Sequence, residues 1–212
     1  MKYFIIIFLN SLFWFSFSYF TTVVLANEPT DAIVPIHDDP NDSYGGTGTI
    51  IIINDTNIRY FITCAHGQDP NKPWYIFFKD KKVAATLLAF DKRQDLALLT
   101  SPELQNRPYY PLARADECPQ RGETVWLAGC GPGQFAQFRG TVKQAGRLMS
   151  EGSVVTDLVF TGGGRYGDSG GPIFNSAGNK VIGIYYGAAQ NEAVGTSCIY
   201  IADFLRKHGY AK

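Results

Sequence analysis

Three short segments carry the residue types of acyl-transfer chemistry: Thr63-Cys64-Ala65-His66, Asp95-Leu96-Ala97-Leu98 and Gly167-Asp168-Ser169-Gly170-Gly171-Pro172. A serine hydroxyl is a weak nucleophile at neutral pH. It becomes a strong one when an imidazole takes its proton and a carboxylate holds that imidazole in the useful tautomer. His66 is the candidate general base and later acid, Asp95 its orienting carboxylate, and Ser169 the nucleophile. Asp91 and Asp157 are rivals for the carboxylate role, and a serine in a glycine turn is by itself ordinary turn chemistry. The order His, Asp, Ser argues against the Gly-x-Ser-x-Gly elbow of α/β-hydrolases, where the partners follow the serine. After Ser169 the only histidine is His208, in the tail.

The glycines around Ser169 have a separate purpose. A backbone tight enough to aim two N–H groups at a developing oxyanion needs positions free of a Cβ clash. The N–H groups of Gly167 and Ser169 are the expected donors. Gly162-Gly163-Gly164 is not a phosphate loop, because no Gly-Lys-Ser/Thr follows. No Cys-x-x-Cys or His/Cys spacing suggests zinc, and no other cofactor is implied.

The elements that must hold these groups read as all-β. Short runs rich in Ile, Val, Phe and Tyr alternate with turn residues. Residues 50–53 and 58–63 flank Asn54-Asp55-Thr56-Asn57, a hairpin signal. Residues 74–78, 83–89, 96–99, 124–128, 154–160 and 181–186 continue the strand pattern. Only residues 201–208, with a basic last turn before Gly209, look helical. The polar, turn-rich stretch before Gly45 reads as a lead-in covering 27–44.

With 212 residues, 45% of them hydrophobic, the chain can bury one substantial core. Its 19 basic and 19 acidic residues cancel, and no basic run gives nucleic acid or an acidic membrane a foothold. Neither partner is expected. The N-terminus, Met1-Lys2 followed by an apolar run over 3–20 and Val24-Leu25-Ala26, has the parts of a secretory signal cut after Ala26. The run is also about as long as the roughly 20 residues that span a bilayer, so an uncleaved anchor is the alternative. Both place the remaining chain outside the cytoplasm, in the periplasm or beyond the cell.

These segments resemble the chymotrypsin-type (trypsin-like) serine proteases, most closely the bacterial HtrA/DegP-like protease domain. Gly46-Thr47-Gly48-Thr49-Ile50-Ile51 is similar to that family's first core strand, and Tyr60-Phe61-Ile62-Thr63-Cys64-Ala65-His66 to the strand delivering the catalytic histidine. Asp91-Lys92-Arg93-Gln94-Asp95-Leu96-Ala97-Leu98-Leu99 resembles its aspartate segment. Arg121-Gly122-Glu123-Thr124-Val125-Trp126-Leu127-Ala128-Gly129, Gly140-Thr141-Val142 and Val181-Ile182-Gly183-Ile184 are similar to later strands, in the family's order. The resemblance implies a chymotrypsin-like double Greek-key β-barrel with a short C-terminal helix. It divides 45–212 into barrels of about 45–112 and 113–212, with no length for the PDZ domain of many HtrA proteins. It implies peptide-bond hydrolysis of protein or peptide substrates, through an acyl-enzyme.

The resemblance also assigns finer positions. The pocket-floor position, six before the nucleophile, is Gly163, which offers no acid to attract Lys or Arg. A small or aliphatic neutral residue before the scissile bond is the expected preference. Tyr185-Tyr186-Gly187 matches the strand edge that pairs with substrate backbone, and Cys198 lies where a pocket-lining side chain is often found; Tyr185 and Tyr186 read equally as strand core. Zymogen relatives pair the aspartate before the serine with a newly cut N-terminus. Here Ile33-Val34 is followed by Pro35 rather than the family's glycine pair, so Asp168 is expected to meet an internal cation, Arg139 or Arg165. Four cysteines allow three pairings or none, with Cys64 expected as a buried thiol. A catalytically silent scaffold and an esterase using the same triad are the alternative functions. Oligomeric state is not readable from the sequence.

Overall fold

The computed structural model describes residues 23–24, 31–41, 45–53, 56–146, 149–151, 154–156, 158–189 and 192–211. Most of the expected leader, and the rival Asp157, lie outside these. Within the leader only the strand β1 (Val23–Val24) is described, pairing antiparallel with Phe138 and Gln137.

The first barrel comprises β2 (Ile33–His37), β3 (Gly46–Ile52), β4 (Arg59–Thr63), β5 (Trp74–Phe77), β6 (Lys82–Asp91) and β7 (Leu96–Thr100). Their order is β2-β5-β6-β7-β4-β3, and β2 pairs back onto β3 to close the ring. A short β8 (Tyr110–Pro111) runs parallel along β3 as the chain leaves for the second barrel. The expected hairpin forms as β3–β4, with Ile52 opposite Arg59. The segment read as a lead-in supplies β2, so this barrel begins well before Gly45. Pro35 and the polar turn after His37 hide the strand from a propensity reading.

The second barrel follows with β9 (Thr124–Gly129), β10 (Ala136–Gln144), a separate hairpin of β11 (Met149–Glu151) and β12 (Val154–Thr156), then β13 (Leu158–Thr161), β14 (Pro172–Phe174), β15 (Val181–Ala189) and β16 (Glu192–Ser197). Its ring runs β9-β10-β13-β16-β15-β14 and closes through β14–β9. The expected strand over 154–160 is thus split between a hairpin arm and a barrel strand. The helix α1 (Cys198–Lys207) starts three residues before the sequence suggests.

Burial follows this architecture. Ile36, Ile50, Phe61, Trp74, Ile76 and Leu99 fill the first barrel. Val125, Leu127, Phe138, Phe160, Ile173 and Ile182 fill the second. Ile33, Ile51, Ile62, Leu98, Phe174 and Ile184 join Ile201, Phe204 and Leu205 of α1 in a third cluster that glues barrel to barrel. Each large side chain removed from water there contributes about 1.5–3 kcal/mol, so the inter-barrel seam is a packed core rather than a hinge. Among the described residues no helix is long and apolar enough to cross a membrane.

Candidate active site

Neighbouring strands bring the first two candidate residues together. β4 and β7 are antiparallel with Thr63 opposite Ala97, so the residues just past β4 and just before β7 meet at one end of the barrel. His66 Nδ1 lies 2.6 Å from Asp95 Oδ2. The other carboxylate oxygen accepts the backbone N–H of Ala65 at 2.9 Å and of His66 at 2.7 Å. Asp95 is buried and has φ 53°, a left-handed conformation that a short polar side chain tolerates. The rival Asp91 instead pairs with Lys207 at 2.9 Å, on the helix side.

The Asp95 carboxylate, and after it the Cys64 sulfur, hold the His66 imidazole well above its usual 6.5, at about 10, against the opposing effect of burial. His66 Nε2 faces Cys64 Sγ at 4.0 Å. Burial pushes the Cys64 thiol up, so it stays protonated at neutral pH.

Ser169 comes from the second barrel, in the turn before β14. Its hydroxyl donates to the Tyr186 carbonyl at 3.2 Å. Among the described residues no hydrogen bond joins it to His66, and neither the Gly167 nor the Ser169 N–H has a hydrogen-bond partner. Gly167 and Gly170 both have φ 86°, which side chains other than glycine rarely adopt. A Cβ on Gly170 would lie 2.1 Å from Thr47 O and from Thr63 Oγ1, so only glycine lets this turn approach the first barrel.

Two supports fix the turn. Asp168 is fully buried and accepts Arg165 Nη2 at 3.0 Å, Arg165 Nε at 3.1 Å and the N–H groups of Gly131 and Arg165 at 2.9 and 2.6 Å. Arg165 is therefore the internal cation. Arg139 lies over Trp126, 6.0 Å from the ring centre. The second support, Thr47, was legible only as part of a strand. Its N–H donates to Ser169 O at 2.8 Å and its hydroxyl to Gly167 O at 2.7 Å, while that hydroxyl accepts the Cys130 N–H at 2.9 Å.

The expected pocket residues fall in different places. Gly163 faces open space. Tyr186 is the bulge residue of β15, where pairing to β16 skips from Tyr185 to Gly187. Tyr185 is buried. Cys198 is also fully buried, in the second-barrel core beneath the first turn of α1, and has no surface to offer a substrate. No disulfide joins Cys64, Cys118, Cys130 or Cys198. Among the described residues no group of three or more His, Cys, Asp or Glu side chains is placed to hold a metal ion.

Residues 46–184 match the model of the trypsin-like peptidase domain. The serine protease Rv3671c of Mycobacterium tuberculosis is 31% identical over 154 residues, which are 69% of this chain and 37% of that protein. The chain thus spans little more than a third of the curated relative. The crystal structure of Rv3671c protease in its active form matches with a TM-score of 0.69 at 25% identity, covering 86% of this chain and 83% of that one. The serine endoprotease from Yersinia pestis has the same fold, with a TM-score of 0.67, 18% identity and coverage of 84% and 63%. So does the HtrA-type protease AlgW with tripeptide, at 0.64, 20%, 85% and 62%. The paired six-stranded barrels are the chymotrypsin-like fold.

Proposed function

The chain belongs to the trypsin-like peptidase family, and from that premise we propose that it is a serine endopeptidase in which His66, Asp95 and Ser169 form the catalytic triad. The observation that carries this reading is the His66–Asp95 pair, 2.6 Å apart, at the barrel end facing a serine turn whose two N–H groups are unclaimed.

The chemistry proceeds in two halves. His66 Nε2 takes the Ser169 hydroxyl proton as the oxygen bonds to the substrate carbonyl carbon, while Asp95 stabilises the imidazolium through Nδ1–H. The Gly167 and Ser169 N–H groups receive the negative charge moved onto the carbonyl oxygen; one such donor is worth roughly 3 kcal/mol of transition-state stabilisation. The imidazolium then protonates the leaving amine. In the second half, water repeats the attack with His66 as base, and the acid product leaves with Ser169 restored. For the first step Ser169 must exchange its bond to the Tyr186 carbonyl for one to His66; catalytic hydrogen bonds of this kind often form only when substrate binds.

Gly163 gives the pocket no charge, which favours a small or aliphatic neutral residue before the scissile bond. Protein and peptide substrates are the proposed partners. The leader-like residues 1–26 favour work outside the cytoplasm, as a released or an anchored enzyme.

A second reading, a silent scaffold, draws on one observation: His66 Nε2 faces Cys64 rather than Ser169. Digestion of a denatured protein separates the two. Wild type should release peptides and Ser169→Ala should release none; equal inertness of both folded proteins would leave the scaffold standing.

A further inference from the structure

Asp95 is a first-barrel residue, yet the backbone that aims it is held from the second barrel. It closes the turn between β6 and β7, which runs from Asp91 to Asp95. Asp91 Oδ1 braces the start of that turn, accepting the N–H groups of Arg93 at 2.9 Å and Gln94 at 3.1 Å. At its end the chain passes through the left-handed φ of 53° at Asp95, a conformation that a side-chain-bearing residue keeps only where its surroundings hold it.

That φ is the rotation between the Gln94–Asp95 peptide plane and the Asp95 Cα, so whatever fixes the plane fixes the direction in which the carboxylate leaves the chain. Thr196 of β16 fixes it. Thr196 is 1% exposed, and its hydroxyl donates to Gln94 O at 2.7 Å across 102 positions of sequence. Other ties between this turn and the C-terminal segment are weaker. Gln94 Nε2 reaches Tyr200 O only at 3.5 Å, and the Gln94 side-chain oxygen, although buried, has no hydrogen-bond partner among the described residues. Lys207 meets Asp91 at 2.9 Å with its own side chain 65% exposed, where solvent screens the attraction.

We propose that Thr196 is a positioning residue: by holding the peptide plane before Asp95 it aims that carboxylate at His66 Nδ1. The proposal rests on the endopeptidase reading above and deepens it, because the triad is then assembled reciprocally. Thr47 of the first barrel holds the turn of Ser169, and Thr196 of the second holds the turn of Asp95. A rotation of the plane swings the carboxylate off its 2.6 Å contact with the imidazole. An error of about 1 Å in placing a catalytic group costs on the order of 10²-fold in rate.

The test compares Thr196→Val, which keeps the shape and removes the hydroxyl, with Thr196→Ser, which retains a hydroxyl. Thr49→Val is the control: Thr49 is equally enclosed, and its hydroxyl donates to Ala32 O at 2.9 Å, at the start of β2 rather than at the Asp95 turn. Each protein is read by ring-proton NMR of His66 and by the rate at which a fluorophosphonate labels Ser169. The His66 ring faces the Asp95 carboxylate and the Cys64 sulfur, and the carboxylate is the larger influence raising its titration. In Thr196→Val, His66 should therefore titrate lower than in wild type, and labelling should slow by about tenfold or more. Thr196→Ser should keep both near wild type, and Thr49→Val should leave the titration in place. A folded Thr196→Val with the wild-type titration would overturn the proposal, as would an equal decrease in Thr49→Val. If Thr196→Val does not fold, the wild-type hydroxyl proton decides. Slow exchange with water upholds the bond to Gln94 O, and exchange as rapid as that of an exposed threonine overturns it. Absence of Ser169 labelling in folded wild type would instead overturn the endopeptidase reading, while the His66 titration still reports the hold on Asp95.

Discussion

Thr47, in the first barrel, holds Ser169, in the second: the Thr47 N–H donates to the Ser169 carbonyl at 2.8 Å, and its buried hydroxyl bridges Gly167 O and Cys130 N–H at 2.7 and 2.9 Å. The turn of the proposed nucleophile is thus registered against the barrel that carries His66 and Asp95. Thr47→Val keeps the shape and removes the bridge, leaving two buried backbone groups without partners. At about 1–3 kcal/mol for each, urea unfolding should show a loss of about 2–6 kcal/mol, and kcat should fall more than KM rises. Thr47→Ser should retain most of both; a Thr47→Val protein as stable and active as wild type would remove the bridge from the account.

Arg165 closes the other side of that turn through Asp168. Removing one partner of a buried ion pair leaves an uncompensated charge, a loss of about 3–5 kcal/mol. Arg165→Ala should therefore unfold at markedly lower urea, with little activity left. Arg139→Ala, where the guanidinium rests over an exposed face of Trp126, should stay within about 0.5 kcal/mol of wild type. Equal effects of the two substitutions would contradict the pairing.

The His66 environment sets a pH dependence. In the proposed triad the free imidazole is the working base, so kcat/KM should rise as the proton leaves. With the imidazole held up by Asp95 and then Cys64, the acid limb belongs above 6.5, in the direction of about 10. In stability the same shift acts oppositely. The paired imidazolium contributes fully below the unfolded value near 6.5, and that contribution disappears as pH rises through the folded value. Ring-proton NMR of Asp95→Asn should show His66 titrating lower than in wild type, and Cys64→Ala should show a smaller decrease. A wild-type ring that titrates at 6.5 or below would refute the arrangement.

Thiol chemistry offers an independent check of burial. Burial pushes Cys64 up, and burial followed by the nearby Asp168 charge takes Cys130 to about 12, so neither presents a thiolate at neutral pH. Cys198 is wholly enclosed, whereas Cys118 is half-buried. Alkylation of the native protein, mapped by peptide mass, should mark Cys118 first and the other three only on unfolding. Early modification of Cys64 would mean that the His66 loop opens readily.

The parts of the site that sequence made legible are those encoded within a few residues. The hairpin around Asn54-Asp55-Thr56-Asn57, the glycine turn at Ser169 and the segments of His66 and Asp95 each announce themselves locally. What escaped depends on distance along the chain. Thr47 acts on Gly167 from 120 positions away, and nothing beside it in sequence marks that role. Arg165 rather than Arg139 meets Asp168 because the turn in which Asp168 N–H donates to Arg165 O at 3.0 Å folds that side chain back on the carboxylate. β2 was hidden by Pro35. Its edges nonetheless pair with β3 and β5, so barrel closure rather than local propensity makes it a strand. Cys198 looked available to a pocket until the early start of α1 turned it into the core.

The central claim is that Ser169 is an activated nucleophile, and intact-mass spectrometry after fluorophosphonate treatment tests it most directly, with Ser169→Ala and His66→Ala as controls. The account predicts one adduct on wild type, mapped to the peptide containing Ser169 and lost in both variants. Folded wild-type protein that takes up no adduct, or an adduct that persists in His66→Ala, would contradict it.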